Sequence, residues 1–360
     1  MNFKTWLMKV KKSQLLLPVV AMILVMAVNI IHDAATGAGA FSFFTITLQR
    51  TTSNGTILYG RIIDILNRGS EAALLALGMT LVVSASAGTD ISVGSVMSLC
   101  ASFCCMLLAG YGVSSTNDLA VPLVVGVIAG ILMGCVCGAF NGLLVARLNI
   151  QPMVATLILY SAARAIGLLV CNDLIVYIRN DSFGFFGSFL GPIPTPIIIT
   201  AICIAILALI LKKTALGMYI QSVGINSRAS RIAGLNSKMI IHLAYIVCGM
   251  FAGIAGIVAS SRITSADSNN IGLYLEMDAI LAVALGGNSL GGGKFSLAGS
   301  IIGAYTIQAI TTTLYALGVS TNQAPVFKAI IVILIVAIQA PPVKAFIRKR
   351  NLNKATKGVA

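Results

Sequence analysis

Apolar stretches of roughly membrane-spanning length recur along almost the whole chain, and they leave few folds open. Runs near the twenty or so residues that carry a helix across the hydrocarbon core occupy residues 15–31, 91–110, 120–144, 153–170, 197–211, 239–260, 297–317 and 325–340. Two shorter runs, 72–86 and 278–287, bring the total to about ten. Backbone N–H and C=O groups cannot go unpaired in lipid, so each run is expected to be a helix; the alternation of a membrane barrel is absent. The expected fold is all-α, a polytopic membrane bundle of about ten transmembrane helices. Only 9% of residues are charged and the mean hydropathy is +0.98, against about 25% charged in a soluble domain. The net charge of +14 does not point to nucleic acid, because Lys and Arg fall in short clusters between apolar runs rather than on one basic stripe.

Those clusters predict the orientation. With the N-terminus in the cytoplasm and ten alternating spans, 17 of the 24 Lys and Arg residues fall on the cytoplasmic side, and of the ten acidic residues only Asp90 does. The positive-inside rule favours this arrangement, with both termini cytoplasmic. The chain is then read as a cytoplasmic segment over residues 1–14, a transmembrane domain over 15–340 and a basic cytoplasmic tail over 341–360. The layout Lys4 to Lys12, apolar run, Ala38-Gly39-Ala40 has some likeness to a signal peptide, but the run is long for one.

No enzyme constellation emerges. Seven of the eight cysteines lie inside apolar runs and Cys171 at the edge of one, without paired C-x-x-C spacing; small packing residues explain them better than metal ligands. His32 and His242 are isolated. The glycine-rich segment ending in Gly293-Lys294 has Asn288 and Phe295 where G-x-x-x-x-G-K-S/T needs Gly and Ser or Thr, and no strand pattern precedes it. No cofactor, metal or nucleotide site is expected, so any ATP-driven engine sits on another chain. Gly126, Gly130, Gly134, Gly138 and Gly142 recur at every fourth residue, a groove that lets a neighbouring helix approach closely. Two polar glycine-rich stretches, residues 87–95 and 286–296, each lead into a helix and hint at a duplicated unit.

The motifs ALGMTLVV at 76–83 and TDISVGSVM at 89–97 resemble the signature of the ABC-type sugar permeases of the ribose, xylose and galactose group. So do NGLLVA at 141–146, QPMVATL at 151–157, KTALGMYI at 213–220, GLYLEMDAI at 272–280 and LGGNSL at 285–290. Together they cover most of residues 60–340. The segments 62–68 and 266–270 look closest to the galactofuranose-transporting members. The resemblance implies import of a simple sugar along an interface between two permease subunits, as a homo- or heterodimer. It also implies two cytoplasmic ATP-binding subunits, an extracytoplasmic sugar-binding protein and a place in the inner membrane. A secondary transporter or channel for a small polar solute is the alternative; it would usually carry an intramembrane acidic relay, and no carboxylate pair suggests one.

The resemblance also implies that the segment after the sixth span docks into the ATPase. Ser227, Arg228, Arg231, Ala233 and Gly234 carry that expectation, with Ser227 as a helix cap and Gly234 as the stop. Asp90, Ser92, Asn141 and Asn288 are candidate pathway or gate residues, although Asp90 reads first as a cap holding the third helix and Asn141 and Asn288 could equally tie helix ends together. Glu276 and Asp278 are expected at the outer mouth, where they could meet cations of the binding protein. Arg164, within the fifth span, is either functional or snorkels to the interface.

Overall fold

The computed structural model describes residues 16–339 apart from 38, 40, 41 and 52–54; the expected terminal segments 1–14 and 341–360 lie outside the described residues. The expected helical bundle is present. Its long helices are α1 (Leu16–Ala35), α2 (Arg61–Ser86), α3 (Val93–Ala109), α4 (Leu123–Ala146) and α5 (Pro152–Val170). After the one-turn α6 (Asp181–Gly184) come α7 (Thr195–Lys213), the short α8 (Leu216–Ile225) and α9 (Ser227–Ile232), and then α10 (Ser237–Arg262), α11 (Leu275–Leu285), α12 (Leu297–Ala316) and α13 (Ala324–Gln339). Seven of these are long and apolar enough to cross a membrane.

Helix α2 sits at the centre, with 89% of its most apolar window buried inside the chain. It begins eleven residues before the apolar run at 72–86, because Arg61, Asp64, Arg68 and Glu71 mask its outer turns from hydropathy. Each charge finds a partner: Arg61 reaches buried Asp33 of α1 at 2.8 Å, Arg68 pairs with Asp64 at 2.8 Å, and Arg262 of α10 pairs with Glu71 at 2.9 Å. A helix of 26 residues is about 39 Å long at 1.5 Å per residue, enough to cross. By contrast α11, with 11 residues, rises only about 16 Å, roughly half a bilayer core. The span expected at 278–287 is therefore a half-helix, which the irregular segment before it carries inward.

Glycine brings α4 onto α10. A Cβ on Gly134 would strike the carbonyl of Gly249, and one on Gly249 would strike the carbonyl of Gly134. Gly138 meets the Tyr245 carbonyl, Gly142 meets His242, and Gly126 and Gly130 face Leu108 and Cys104 of α3. The four-residue repeat is thus a packing seam, in which missing side chains permit backbone contact that branched residues would block. Gly299 and Gly303 of α12 make the same approach to Gly286 and Ala282 at the end of α11. The outward faces of α4, α5 and α7 are lined with exposed Val, Ile and Leu, as lipid contact requires.

All strands among the described residues lie at one end. Hairpin β1 (Thr47–Thr51) to β2 (Gly55–Tyr59) joins α1 to α2. Strands β3 (Ser115–Thr116), β4 (Val176–Ile178) and β7 (Ser265–Ala266) form one sheet, with β3 parallel and β7 antiparallel to β4. A small hairpin pairs β5 (Phe189–Leu190) with β6 (Ile193–Pro194). The sheet gathers the loops after α3, α5 and α10, which alternating spans place on a single side. We call this the outer end.

Candidate functional site: the inner loop cluster and the half-helix junction

At the opposite, inner end, the two glycine-rich stretches that the sequence paired come into contact. The first turns sharply after α2, with Ala87 in the left-handed region at φ 53°. There Asp90 Oδ1 accepts the Ser92 backbone N–H at 2.9 Å and the Ser92 hydroxyl at 2.6 Å. Asn141 of α4 donates to Ser92 Oγ at 2.8 Å and lies 3.4 Å from Asp90 Oδ2. All three are buried. Asp90 therefore braces the turn before α3 rather than capping the helix itself, and Ser92 and Asn141 belong to the same cluster. The Asn141 Oδ1 is buried without a partner.

The second stretch is organised by Asn288. Its Oδ1 accepts the Ser296 backbone N–H at 2.6 Å, and its Nδ2 donates to Ser300 Oγ at 2.7 Å. Thr80 of α2 donates to the same Ser300 hydroxyl at 2.7 Å, and Ser296 caps α12 through the Gly299 N–H at 3.2 Å. The loop then lies on the end of α2: the Gly293 N–H bonds the Ser84 carbonyl at 3.0 Å, and a Cβ on Gly292 would come within 3.0 Å of the Ala87 Cβ.

The segment expected to couple to an ATPase joins this cluster directly. Gly224, near the end of α8, is wedged between the Ser84 carbonyl and the Gly293 N–H, with no room for a side chain. In the sequence Gly224 stands only as part of the permease-like motif VGIN at 223–226, with no role attached to it. Asn226, not Ser227, caps α9, accepting the N–H groups of Arg228 at 3.1 Å and Ala229 at 3.0 Å. Ser227 is the first helical residue, its carbonyl held by the Ser237 hydroxyl at 2.9 Å. Arg228, Arg231, Ala233 and Gly234 are exposed, and Ile232 between them is 90% exposed. Gly234 ends the turn at φ 88°, where a side chain would be strained.

A second assembly lies deeper, where α3 and α11 start. After β7 the chain turns inward against α3: Ser98 donates to the Ser268 carbonyl at 2.8 Å, and the Ser102 and Ser268 hydroxyls are 2.6 Å apart. Arg164 of α5 binds the carbonyls of Ser268 at 2.8 Å and Asn269 at 2.7 Å. The arginine clamps non-helical backbone. Gly94 and Gly272 then meet backbone to backbone, and Glu276 Oε2 lies against Gly94.

This placement corrects the expectation for the two carboxylates. Glu276 is 1% exposed and Asp278 8% exposed; neither offers a free charge at an outer mouth. The inward dip of the segment before α11 draws both below the rim, and Lys328 of α13 neutralises Asp278 at 2.7 Å. Lys328 had no signal beyond being a cation inside an apolar run. Among the described residues no group of His, Cys, Asp or Glu is arranged to hold a metal, and all eight cysteines are free.

Residues 61–338 match a family model described as the permease component of the branched-chain amino acid transport system. The chain belongs to this permease family. It is 43% identical over 285 residues to the galactofuranose transporter permease protein YtfT of Escherichia coli (strain K12), covering 79% of this chain and 80% of that one. It is 38% identical to the fructose import permease protein FruF of Bifidobacterium longum (strain NCC 2705), covering 86% of each chain. It is 33% identical over 341 residues to the ribose import permease protein RbsC of Escherichia coli (strain K12), covering 93% of this permease and 94% of the relative. The resemblance read from the motifs is borne out. The permease is a multi-pass inner-membrane transport subunit and not an enzyme.

Proposed function

We propose that this permease forms the translocation pathway of an ABC importer for a simple sugar, galactofuranose or one of similar size. The observation that carries the reading is likeness over nearly the full chain to relatives named for galactofuranose, fructose and ribose transport. Cytoplasmic ATP-binding subunits supply the energy, an extracytoplasmic sugar-binding protein delivers the solute, and a second permease subunit, identical or not, completes the pathway. Both termini face the cytoplasm, a reading supported by the 17 cationic residues on that side.

The exposed turn Arg228–Gly234 is the seat for the ATPase. Supporting this, it projects from the inner end while Gly224, a few residues before it, is wedged into both glycine loops. A push on that turn reaches Asp90, Ser92 and Asn141 on one side and Asn288 on the other, so these four act as the inner gate. Reconstitution with the ATPase and binding protein in proteoliposomes tests the reading. ATP-dependent uptake of labelled galactofuranose, in preference to ribose and fructose, is expected. Uptake driven by a proton gradient without ATP would sink it.

A further inference from the structure

The outer turns of α2 open into a cavity of about 760 Å³, lined by Asp64, Asn67 and Arg68 of that helix, by Thr47 and Tyr59 of the first hairpin and by Phe189 of β5. We propose that this cavity is a binding site for a neutral monosaccharide on the permease itself, a vestibule that holds the solute before it enters the bundle. The proposal rests on the sugar-import reading and adds a location and a chemistry to it.

Charge argues for a neutral ligand. The ions in the wall compensate each other: Arg68 pairs with Asp64 at 2.8 Å, and Arg61 is taken by Asp33 at 2.8 Å. An ionic solute would find no unpaired opposite charge there. Hydrogen-bonding capacity is nevertheless left over. Among the described residues Asp64 Oδ2, Asn67 Nδ2 and the two terminal nitrogens of Arg68 make no hydrogen bond. Positions 64, 67 and 68 share one face of the helix, so a carboxylate, an amide and a guanidinium stand side by side. Such planar groups donate or accept two parallel bonds, which suits the adjacent hydroxyls of a sugar. Tyr59, 59% exposed, and Phe189 add apolar surface from two separate hairpins, as the C–H faces of a sugar ring require. The few polar groups set among apolar ones match the general build of small-molecule sites, and the spare volume leaves room for bridging waters.

The wall is also fixed. Arg262 of α10 donates to the Asn67 carbonyl at 2.8 Å and holds Glu71 one turn further in. The two hairpins are joined by the Leu58 N–H on the Pro192 carbonyl at 3.0 Å.

The test uses the permease with its ATPase subunits in lipid nanodiscs, without binding protein. Saturation-transfer NMR is recorded with methyl galactofuranoside, ribose and fructose, and with gluconate as the charged control. Transfer to at least one neutral sugar and none to gluconate is expected. It should fall about fivefold or more in Asn67→Ala and Arg68→Gln, with assembly of the complex and its unfolding temperature in nanodiscs showing that both variants are folded. Equal transfer in wild type and both variants would overturn the proposal. So would absence of transfer in a complex that imports sugar once its binding protein is added; the sugar-import reading would then stand alone. Variants that keep the sugar signal but lose affinity for the binding protein would reassign the cavity to protein docking. A wild-type complex that imports no sugar at all would remove the sugar-import reading, and the vestibule with it.

Discussion

The two ends of this permease are built on different terms. At the outer end, loops are tied by strands and ion pairs, and the bonds join elements distant in sequence: Arg61 to Asp33 and Arg262 to Glu71. At the inner end the joints are backbone against backbone, Gly224 on Ser84 and Gly293, Gly292 on Ala87. The one buried carboxylate there, Asp90, braces its own loop rather than reaching a distant element. A rim fastened by directional bonds resists movement, whereas glycine seams let surfaces press together without interlocking. The comparison assigns stability to the outer end and transmission to the inner one.

The comparison can be broken at several points. The largest effect is expected from Gly224→Val, whose side chain has nowhere to go between Ser84 and Gly293. Uptake in proteoliposomes should be lost altogether, and normal uptake would show that the inner seam is not tight. Next comes Lys328→Met, which leaves Asp278 buried and unpaired. Breaking a buried pair in this way typically costs about 3–5 kcal/mol, so thermal unfolding in nanodiscs should shift sharply downward. The double variant with Asp278→Leu should recover most of the loss, and a null single variant would remove the pair from the stability account of the outer end.

Smaller effects sharpen the division. Ala233→Glu on the exposed turn should lower uptake by about tenfold, within the usual 5–150-fold range of coupling between sites, while leaving the unfolding temperature unchanged. Loss of stability instead would mean the turn is structural. Asn141→Ala removes a buried donor to Ser92 and should cost about 1–3 kcal/mol, read by thermal shift. The smallest change is expected for Arg68→Gln, whose partly exposed pair with Asp64 contributes about 1 kcal/mol or less. Its unfolding temperature should therefore barely move, even as sugar contact at the vestibule falls.

Much of this was legible in the residues, for reasons that also explain the gaps. The four-residue glycine spacing on α4 is a local pattern, and a helix converts it directly into the seam with α10. Asp90, Ser92 and Asn141 were each noticed separately, but only the crossing of α3 and α4 shows that they form one cluster. Hydropathy missed the outer turns of α2 because it averages over charges that are paired in space with Asp33 and Arg262, far away in sequence. Glu276 and Asp278 were misplaced for a related reason. A carboxylate near the end of an apolar run reads as solvated, and nothing local announces that the chain dips before α11 or that Lys328 waits two helices later.

The short sheet at the outer end has a mechanical corollary. Because β4 is bonded on one side to the loop after α3 and on the other to the loop after α10, helices α3, α4, α5 and α10 hang from a common hoop. They cannot splay apart at that end without tearing it, so any tilt among them must pivot there and swing widest at the far side. Half-helix α11 and its successors stand outside the hoop, joined to it through β7 and through the segment after it that Ser98 and Arg164 hold. The natural line of parting in the subunit therefore runs between these two groups, along the contact of Gly94 with Gly272.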